Sequence, residues 1–508
     1  MKSPIDRHRA GAKALKKAFA AGDPAAAARL RAILPERGGS GAMAPKYADF
    51  LHVVAVEAGY DSWPKLKFGL EAAAMSRARR AERLRHALYH GQRWAIRRLL
   101  EAEPDLAGEA LDLQIATYEL KAVTAALARD PGLATRPIGP RSPLMHLAFS
   151  QFIHHAPARR DAMLALAALL VAHGADVNGR ASAGPDTDHR YSPLYAALGH
   201  ANNMPLAAWL LAQGASPDDE ESLYHATELG HHEGLELLFA HGVRTRGTNA
   251  LPRALDFDDL EAVRLLLDYG ADPNGAFSAD PDRPADTVPA LHQAARRGRG
   301  AAFAALLLAH GADPHARWHG HTPYATARIY GNAAFANFLS ERGAAPALSP
   351  SEAILAACAR GRAPGEPLDV DALGAEDRLL LARLASVPGP LAPLQALVAA
   401  GFDPNLATET DMTPLMIAGW EGMADRVAFF LTQAPDLTRR NRFGGDALGS
   451  VLHGAAYCPY AATRDHIGCA RLLLEAGAAL PQAYLESCPS EAMLLFLESW
   501  ADDNAGAG

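Results

Sequence analysis

The sequence predicts an all-α solenoid of stacked helix pairs, and three observations carry that prediction. One phrase occurs twice between residues 289 and 344. Pro289-Ala-Leu-His-Gln-Ala-Ala-Arg-Arg-Gly298, an apolar run to His310 and Gly311-Ala-Asp-Pro314 are followed by Thr322-Pro-Tyr-Ala-Thr-Ala-Arg-Ile-Tyr-Gly331, Ala333 to Arg342 and Gly343-Ala344. Leu291 and Tyr324 stand 33 residues apart, a period that holds two short helices and a turn. Neither helix buries its apolar face alone, so neighbouring units must stack. Finally, 508 residues at 49% hydrophobic and 7% aromatic exceed one ordinary core, whereas a stacked array grows unit by unit.

This phrase resembles the ankyrin repeat, and the rest of the chain reads as better or worse copies of it. The clear array begins at Ser142-Pro-Leu-Met-His-Leu-Ala148. Later first helices start near Ser192-Pro193, Ser222-Leu223, Ala250-Leu251, Pro289-Ala290 and Thr322-Pro323; Thr322 keeps the motif's hydroxyl, for which Ser142 and Ser192 substitute, and the proline after each suits a first turn. Second helices end near Gly174, Gly214, Gly242, Gly270, Gly311 and Gly343, at intervals of 40, 28, 28, 41 and 32 residues. Glycine there takes the left-handed conformation that stops a helix. The uneven intervals point to long polar insertions at 179–191 and 275–288. In the family this region forms short β-hairpin fingers beside a concave binding surface. A tolerated surface insertion is the competing reading, because loop length costs little.

Before the array, residues 12–34 read as two helices around Gly22-Asp23-Pro24, and Tyr47–Ala58 with Trp63–Ala74 as a pair joined at Gly59-Tyr-Asp-Ser62, with Ser62 as cap. This segment, 1–75, resembles the small helical head that precedes many bacterial ankyrin arrays. Residues 76–141 read as two degenerate helix pairs, and 142–348 as the array. Residues 349–400 are a divergent linker or repeat, and 401–480 resume clear repeats at Gly401-Phe-Asp-Pro-Asn405 and Thr413-Pro-Leu-Met-Ile-Ala-Gly-Trp420. Residues 481–508 make a capping helix, Gln482 to Trp500, and a frayed tail from Ala501. The loop 457–465 is a third possible contact surface.

A net charge of -8 gives no broad electrostatic case for nucleic acid, and the basic run Arg77 to Arg85 carries Glu82 within it. No signal peptide or 18-residue apolar span is expected, and four cysteines without CxxC spacing suit a reduced, cytoplasmic compartment. Leaderless export leaves no such mark.

Twenty-one histidines invite a catalytic or metal reading. Most have repeat reasons: His146, His225 and His292 fall at the motif's histidine, a side chain that ties a turn to backbone, and His173, His241 and His310 precede the terminating glycines. His154-His155, His231-His232, Asp186-x-Asp188-His189 and Trp318-His-Gly-His321 offer fewer ligands than a structural zinc site needs. No cofactor is expected: dinucleotide, phosphate-loop and nucleophile-elbow motifs are absent. Cys458, in a loop before Pro459, is the one cysteine to test for reactivity, although a nucleophile needs a depressed pKa and a nearby base and the sequence shows neither.

The expected function is therefore recognition of a protein partner, without turnover, through the concave face and connecting loops. Candidate contacts are Asp186, Asp188 and His189 in the first insertion, Arg317, Trp318 and Tyr324 near one connection, and Asp411, Met412 and Trp420 near another. Trp420 and Tyr324 have an alternative as seam fillers. The main alternative function is a self-associating structural or regulatory module, and the oligomeric state stays open.

Overall fold

A computed structural model describes residues 3–35, 45–182, 189–275, 288–365, 368–458, 460–488 and 490–504. The chain is an all-α repeat solenoid of helix pairs. Among the described residues, strand is confined to Ala181–Ser182 and Arg190–Tyr191, an antiparallel pair with Ala181 opposite Tyr191. This pair is the base of the first insertion, whose residues 183–188, including Asp186 and Asp188, lie outside the described residues. So do 276–287 of the second insertion, whose base is closed by Ala290 N–H donating to Pro273 O at 3.0 Å. The chain divides into two compact units: Met1–Ala73 with Arg328–Gly331 and Ala347–Gly508, and Ala74–Ala327 with Asn332–Pro346.

In the second unit the helix pairs follow one plan. Ser142 and Ser192 accept hydrogen bonds from the N–H groups of Met145 and Tyr195 at 3.4 and 2.9 Å, and Thr322 accepts from Ala325 at 3.2 Å. Each satisfies an orphan donor of its helix, with proline next in line. The second helices, for example Arg160–Ala172 and Ala301–Ala309, stop where Gly174 and Gly311 take φ of 94° and 84°. The next N–H then reaches back five residues, Ala175 to Leu170 O and Ala312 to Leu307 O, both 3.0 Å. His173, His241 and His310 have a local role at these ends: each ring Nδ1 lies 2.9–3.0 Å from the carbonyl four residues earlier, covering an orphan acceptor.

The phrase after each terminator fixes the spacing between repeats. Asn178 donates through Nδ2 to Gly214 O at 3.0 Å and accepts from Ser216 N–H at 2.7 Å. Asn274 brackets Gly311 and Asp313 the same way, at 2.8 and 2.7 Å. One amide side chain thus satisfies the backbone of the next repeat's turn.

The degenerate segment 76–141 also forms helix pairs, Arg77–Tyr89 with Arg93–Ala102 and Leu111–Ala116 with Leu120–Arg129. Its basic run is neutralised from the following turns. Arg77 and Arg80 pair with Glu103, Arg77 also with Glu109, and Arg85 with Asp112.

In the first unit, Pro4–Ala20, Pro24–Ile33, Tyr47–Glu57 and Trp63–Ala74 close on a core of Leu15, Leu30, Phe50, Leu51, Trp63 and Leu66. The hydroxyl of Ser62 does not cap the helix as expected: it is buried without a hydrogen-bond partner, while the Ser62 carbonyl accepts from Leu66 N–H at 3.0 Å. The C-terminal segment is two helices, Gln482–Ser487 and Glu491–Asn504, instead of one, and the second runs beyond Ala501. Leu495 of that helix packs on the head core, and Lys67 Nζ lies 2.5 Å from the buried Glu498 Oε1. A second core gathers Leu355, Leu381, Leu397, Leu415, Phe430 and Leu473 from the repeats between.

Candidate functional site

The first helices of the second unit carry a contact line of aromatic, histidine and charged side chains. It starts where Arg77–Tyr89 ends. Tyr89 O accepts from Gln151 Nε2 and lies 2.9 Å from His200 Nε2, and the Tyr89 and His200 rings are 4.3 Å apart. Phe149, just after the helix Pro143–Ala148, sits 5.4 Å from Tyr89 and 5.0 Å from His200. The Arg141 guanidinium lies over both rings, 4.5 Å from Tyr89 and 4.4 Å from Phe149.

His200 reaches this cluster through an irregular helix. Pro193–Tyr195 is followed by a five-residue π-turn, Ala196–His200, with Ala201 N–H bonded to Ala196 O at 3.0 Å. Such wider turns re-aim side chains. Gly199 permits the close approach of the next helix, since a Cβ there would meet His225 Cβ and the Tyr195 ring at 2.8 Å. Tyr191, from the hairpin, stacks on Tyr195 at 4.4 Å, and the Tyr195 ring lies 4.9 Å from His225. Beneath them the buried Asp219 joins two repeats by accepting from the hydroxyls of Ser192 and Ser222 and the N–H of Ser222.

His225 does not tie backbone as expected. In Leu223-Tyr224-His225 it stands one position later than the histidine of Leu291-His292, and its ring lies between carboxylates, 2.9 Å from Glu228 Oε2 and 3.2 Å from Glu221 Oε2. Burial opposes its charged form, but the hydrogen bonds and attraction of Glu221 and Glu228 prevail and raise its pKa to about 9. Arg253 extends the line, 2.7 Å from Glu228 and over the rings of Tyr224 and Phe257. Asp256 then takes Arg297 at 2.7 Å and Gln293, and Arg296 lies 5.4 Å over Trp318.

His292 and His146 do make backbone ties. His292 Nε2 lies 3.0 Å from His321 O of the next repeat, and His146 Nε2 lies 2.9 Å from Ile138 O in its own turn. Burial lowers both pKa values, His292 to about 4, so both rings are neutral at pH 7.

Of the residues expected from sequence, His189 joins this line, 2.9 Å from Glu221 Oε1 and 5.0 Å from the Tyr191 ring. Trp318 is half-buried, its indole N–H without a hydrogen-bond partner. Arg317 is exposed and donates to Gly320 O, and Tyr324 is half-buried. Asp411, Met412 and Trp420 belong to the first unit. Asp411 is exposed, with φ 59°, 3.8 Å from Arg439. Met412 packs on the core, and Trp420 donates to His453 Nδ1 at 3.1 Å. Of the described candidates, His189, Arg317, Trp318 and Tyr324 thus belong to the second unit and Asp411, Met412 and Trp420 to the first.

Sequence reasoning missed Tyr89, Arg141, Phe149, Tyr195, His200 and Arg253. A signal existed for one: Tyr195 occupies the motif's histidine position in Ser192-Pro-Leu-Tyr195. Cys458 is corrected as well. It is buried, its thiol is raised to about 11 by burial, and Glu421 lies 3.8 Å away, the reverse of an activated nucleophile. Among the described residues no cluster of three or more metal-capable side chains occurs, and no helix is long and apolar enough to cross a membrane.

A family model for ankyrin repeats, in three copies, matches residues 194–276, which hold the centre of this line. A solved structure of an ankyrin repeat domain from Acinetobacter baumannii AYE is similar at 23% identity, covering 40% of this chain and 97% of that one with a TM-score of 0.31. No curated protein matches the chain.

Proposed function

Since this chain is an ankyrin-repeat protein, and such repeats are in general protein-interaction modules, we propose that it binds a protein partner without chemical turnover. The binding surface is the concave face carrying the contact line from Tyr89 to Trp318. The observation that supports this most is the composition of the line: tyrosine, arginine and tryptophan, the side chains that dominate binding hot spots, recur along it at Tyr89, Arg141, Tyr191, Tyr195, Tyr224, Arg253, Arg296 and Trp318. The second helices supply aliphatic spine residues such as Leu170, Leu210 and Leu266, all fully buried.

The two insertions, with Asp186, Asp188 and His189, and the neighbours Arg317, Trp318 and Tyr324 extend that surface. Asp411, Met412 and Trp420 form a separate contact on the first unit, where Phe443 is 78% exposed. The free cysteines favour a reduced, cytoplasmic setting. The head 1–75, the arrays 142–348 and 401–480, and the divergent segments between them are the parts of the proposed scaffold.

The test is a titration of the partner isolated by the intact chain from its native cell extract. Tyr191→Ala with Trp318→Ala should weaken binding by more than about tenfold, as hot-spot truncations do, with unchanged thermal unfolding. Unchanged affinity would remove the line from the interface. Self-association in place of partner binding would show as a concentration-dependent mass.

A further inference from the structure

We infer that Arg141 and the cavity beside it form a receptor for a carboxylate, an aspartate or glutamate side chain of the partner protein. The inference rests on the reading of this face as a protein-binding surface and names the chemistry it recognises.

The guanidinium of Arg141 is oriented without being used. Its carbon lies 4.5 and 4.4 Å from the centroids of Tyr89 and Phe149, rings themselves 5.4 Å apart, so the cation sits in the notch between them. Its position is also fixed by the backbone bridge from Ile138 to Arg141, which closes the turn before Ser142. Among the described residues no carboxylate or carbonyl takes a hydrogen bond from this side chain. Two ring faces hold the plane of the guanidinium, and the N–H edge is left to donate. That is the preorganised fork that binds a carboxylate through two parallel hydrogen bonds.

The space in front of it has the matching size and charge. Arg141, Tyr89, Phe149 and Ser150 line a cavity of about 90 Å³ with Arg85 and Asp112 on its far wall. Arg85 is already matched, donating Nε at 2.5 Å and a second nitrogen at 3.2 Å to the buried Asp112. His146 is held neutral by its burial. One cation remains uncompensated. A single fork beside one free positive charge suits a monoanionic carboxylate, whereas a phosphate dianion with three acceptor oxygens draws several cations.

The test uses the full chain and a random peptide library displayed on phage. The enriched peptides are then synthesised in native form, with each acidic residue replaced by its amide, and with phosphoserine at the same position. Enriched peptides should carry Asp or Glu. The amide replacement should weaken binding about tenfold to the natural chain, the scale of a hydrogen-bonded charge pair, and hardly at all to Arg141→Gln. Arg141→Lys keeps the charge and loses the fork, so it should fall between the two. Thermal unfolding confirms that both variants fold. Peptides without acids, equal effects of the amide on natural and Arg141→Gln chains, or tighter binding of the phosphoserine form would each overturn the carboxylate assignment. Peptides that lose affinity with Tyr191→Ala but ignore Arg141 would overturn this inference alone. Peptides that ignore both, or no enrichment, would overturn it together with the proposed binding face.

Discussion

His225 presents one ring nitrogen to Glu228 at 2.9 Å while its other faces Glu221 at 3.2 Å. Two carboxylate acceptors require two donors, so the ring is an imidazolium. The folded pKa, about 9, lies above the unfolded value of about 6.5. The folded state therefore binds the proton more tightly, and the stabilisation is fully present below pH 6.5 and lost as pH rises towards 9. The side chain is only 25% exposed, so the contribution is on the order of 3 kcal/mol. The stability gap between the natural chain and His225→Gln should shrink by that order between pH 6 and pH 9.5 in denaturant titrations. A histidine resonance for this residue titrating near 6.5 would refute the assignment.

Lys67 and Glu498 form the polar tie between the head and the last helix, with side chains 18% and 1% exposed. Removing one partner of such a pair costs about 3–5 kcal/mol, because it strands a buried charge, while replacing both by apolar groups is often neutral. Lys67→Met should destabilise the first unit by that amount, and Lys67→Met with Glu498→Leu should recover most of it. Equal losses in the single and double variants, read by chemical denaturation, would contradict this.

Gly454 packs under the carbonyl of Trp420, where an added Cβ would lie 2.0 Å from the oxygen. The obstacle is backbone and cannot swing aside, so the helices Pro414–Trp420 and Ala447–Tyr457 must separate. Gly454→Ala should cost about 1–3 kcal/mol, the range for overpacked cores. A thermal midpoint equal to the natural chain's would show that the helices yield freely.

Cys458 and Cys469, with thiols pushed up by burial to about 11 and about 12, should react with iodoacetamide at pH 8 more slowly than a free thiol, since the thiolate is the nucleophile. Mass spectrometry of the labelled native chain gives the rate. Labelling of Cys458 at the rate of the unfolded chain would restore it as a reactive group.

The repeat plan was legible because its signals are local. Ser142-Pro143 and Thr413-Pro414 announce a helix start within a few residues, and Gly174 or Gly311 announces its end. The contact line was harder to read because its members come from distant turns. Arg141 and Phe149 flank one helix, Pro143–Ala148, but Tyr89 joins them only through the packing of an earlier repeat, and no short window contains all three. His225 misled for a different reason: His146 stands at the same distance after its leucine and reaches the carbonyl of Ile138, but His225 has carboxylates one turn before and one turn after it, and Glu221 and Glu228 take the ring instead. The π-turn at 196–200 left no mark either, since Ala-Ala-Leu-Gly-His reads as ordinary helix. Ser62 had the right residue type for a cap and stands just before its helix, but its hydroxyl makes no hydrogen bond there.

The tie between Lys67 and Glu498 also sets a clock. The two residues are 431 positions apart, and a ribosome adds roughly 5–20 residues per second. The head thus waits about 20–90 seconds, by that rate, between the synthesis of Lys67 and the arrival of its counter-charge. During that interval the surface of the head that later receives Leu495 is uncovered.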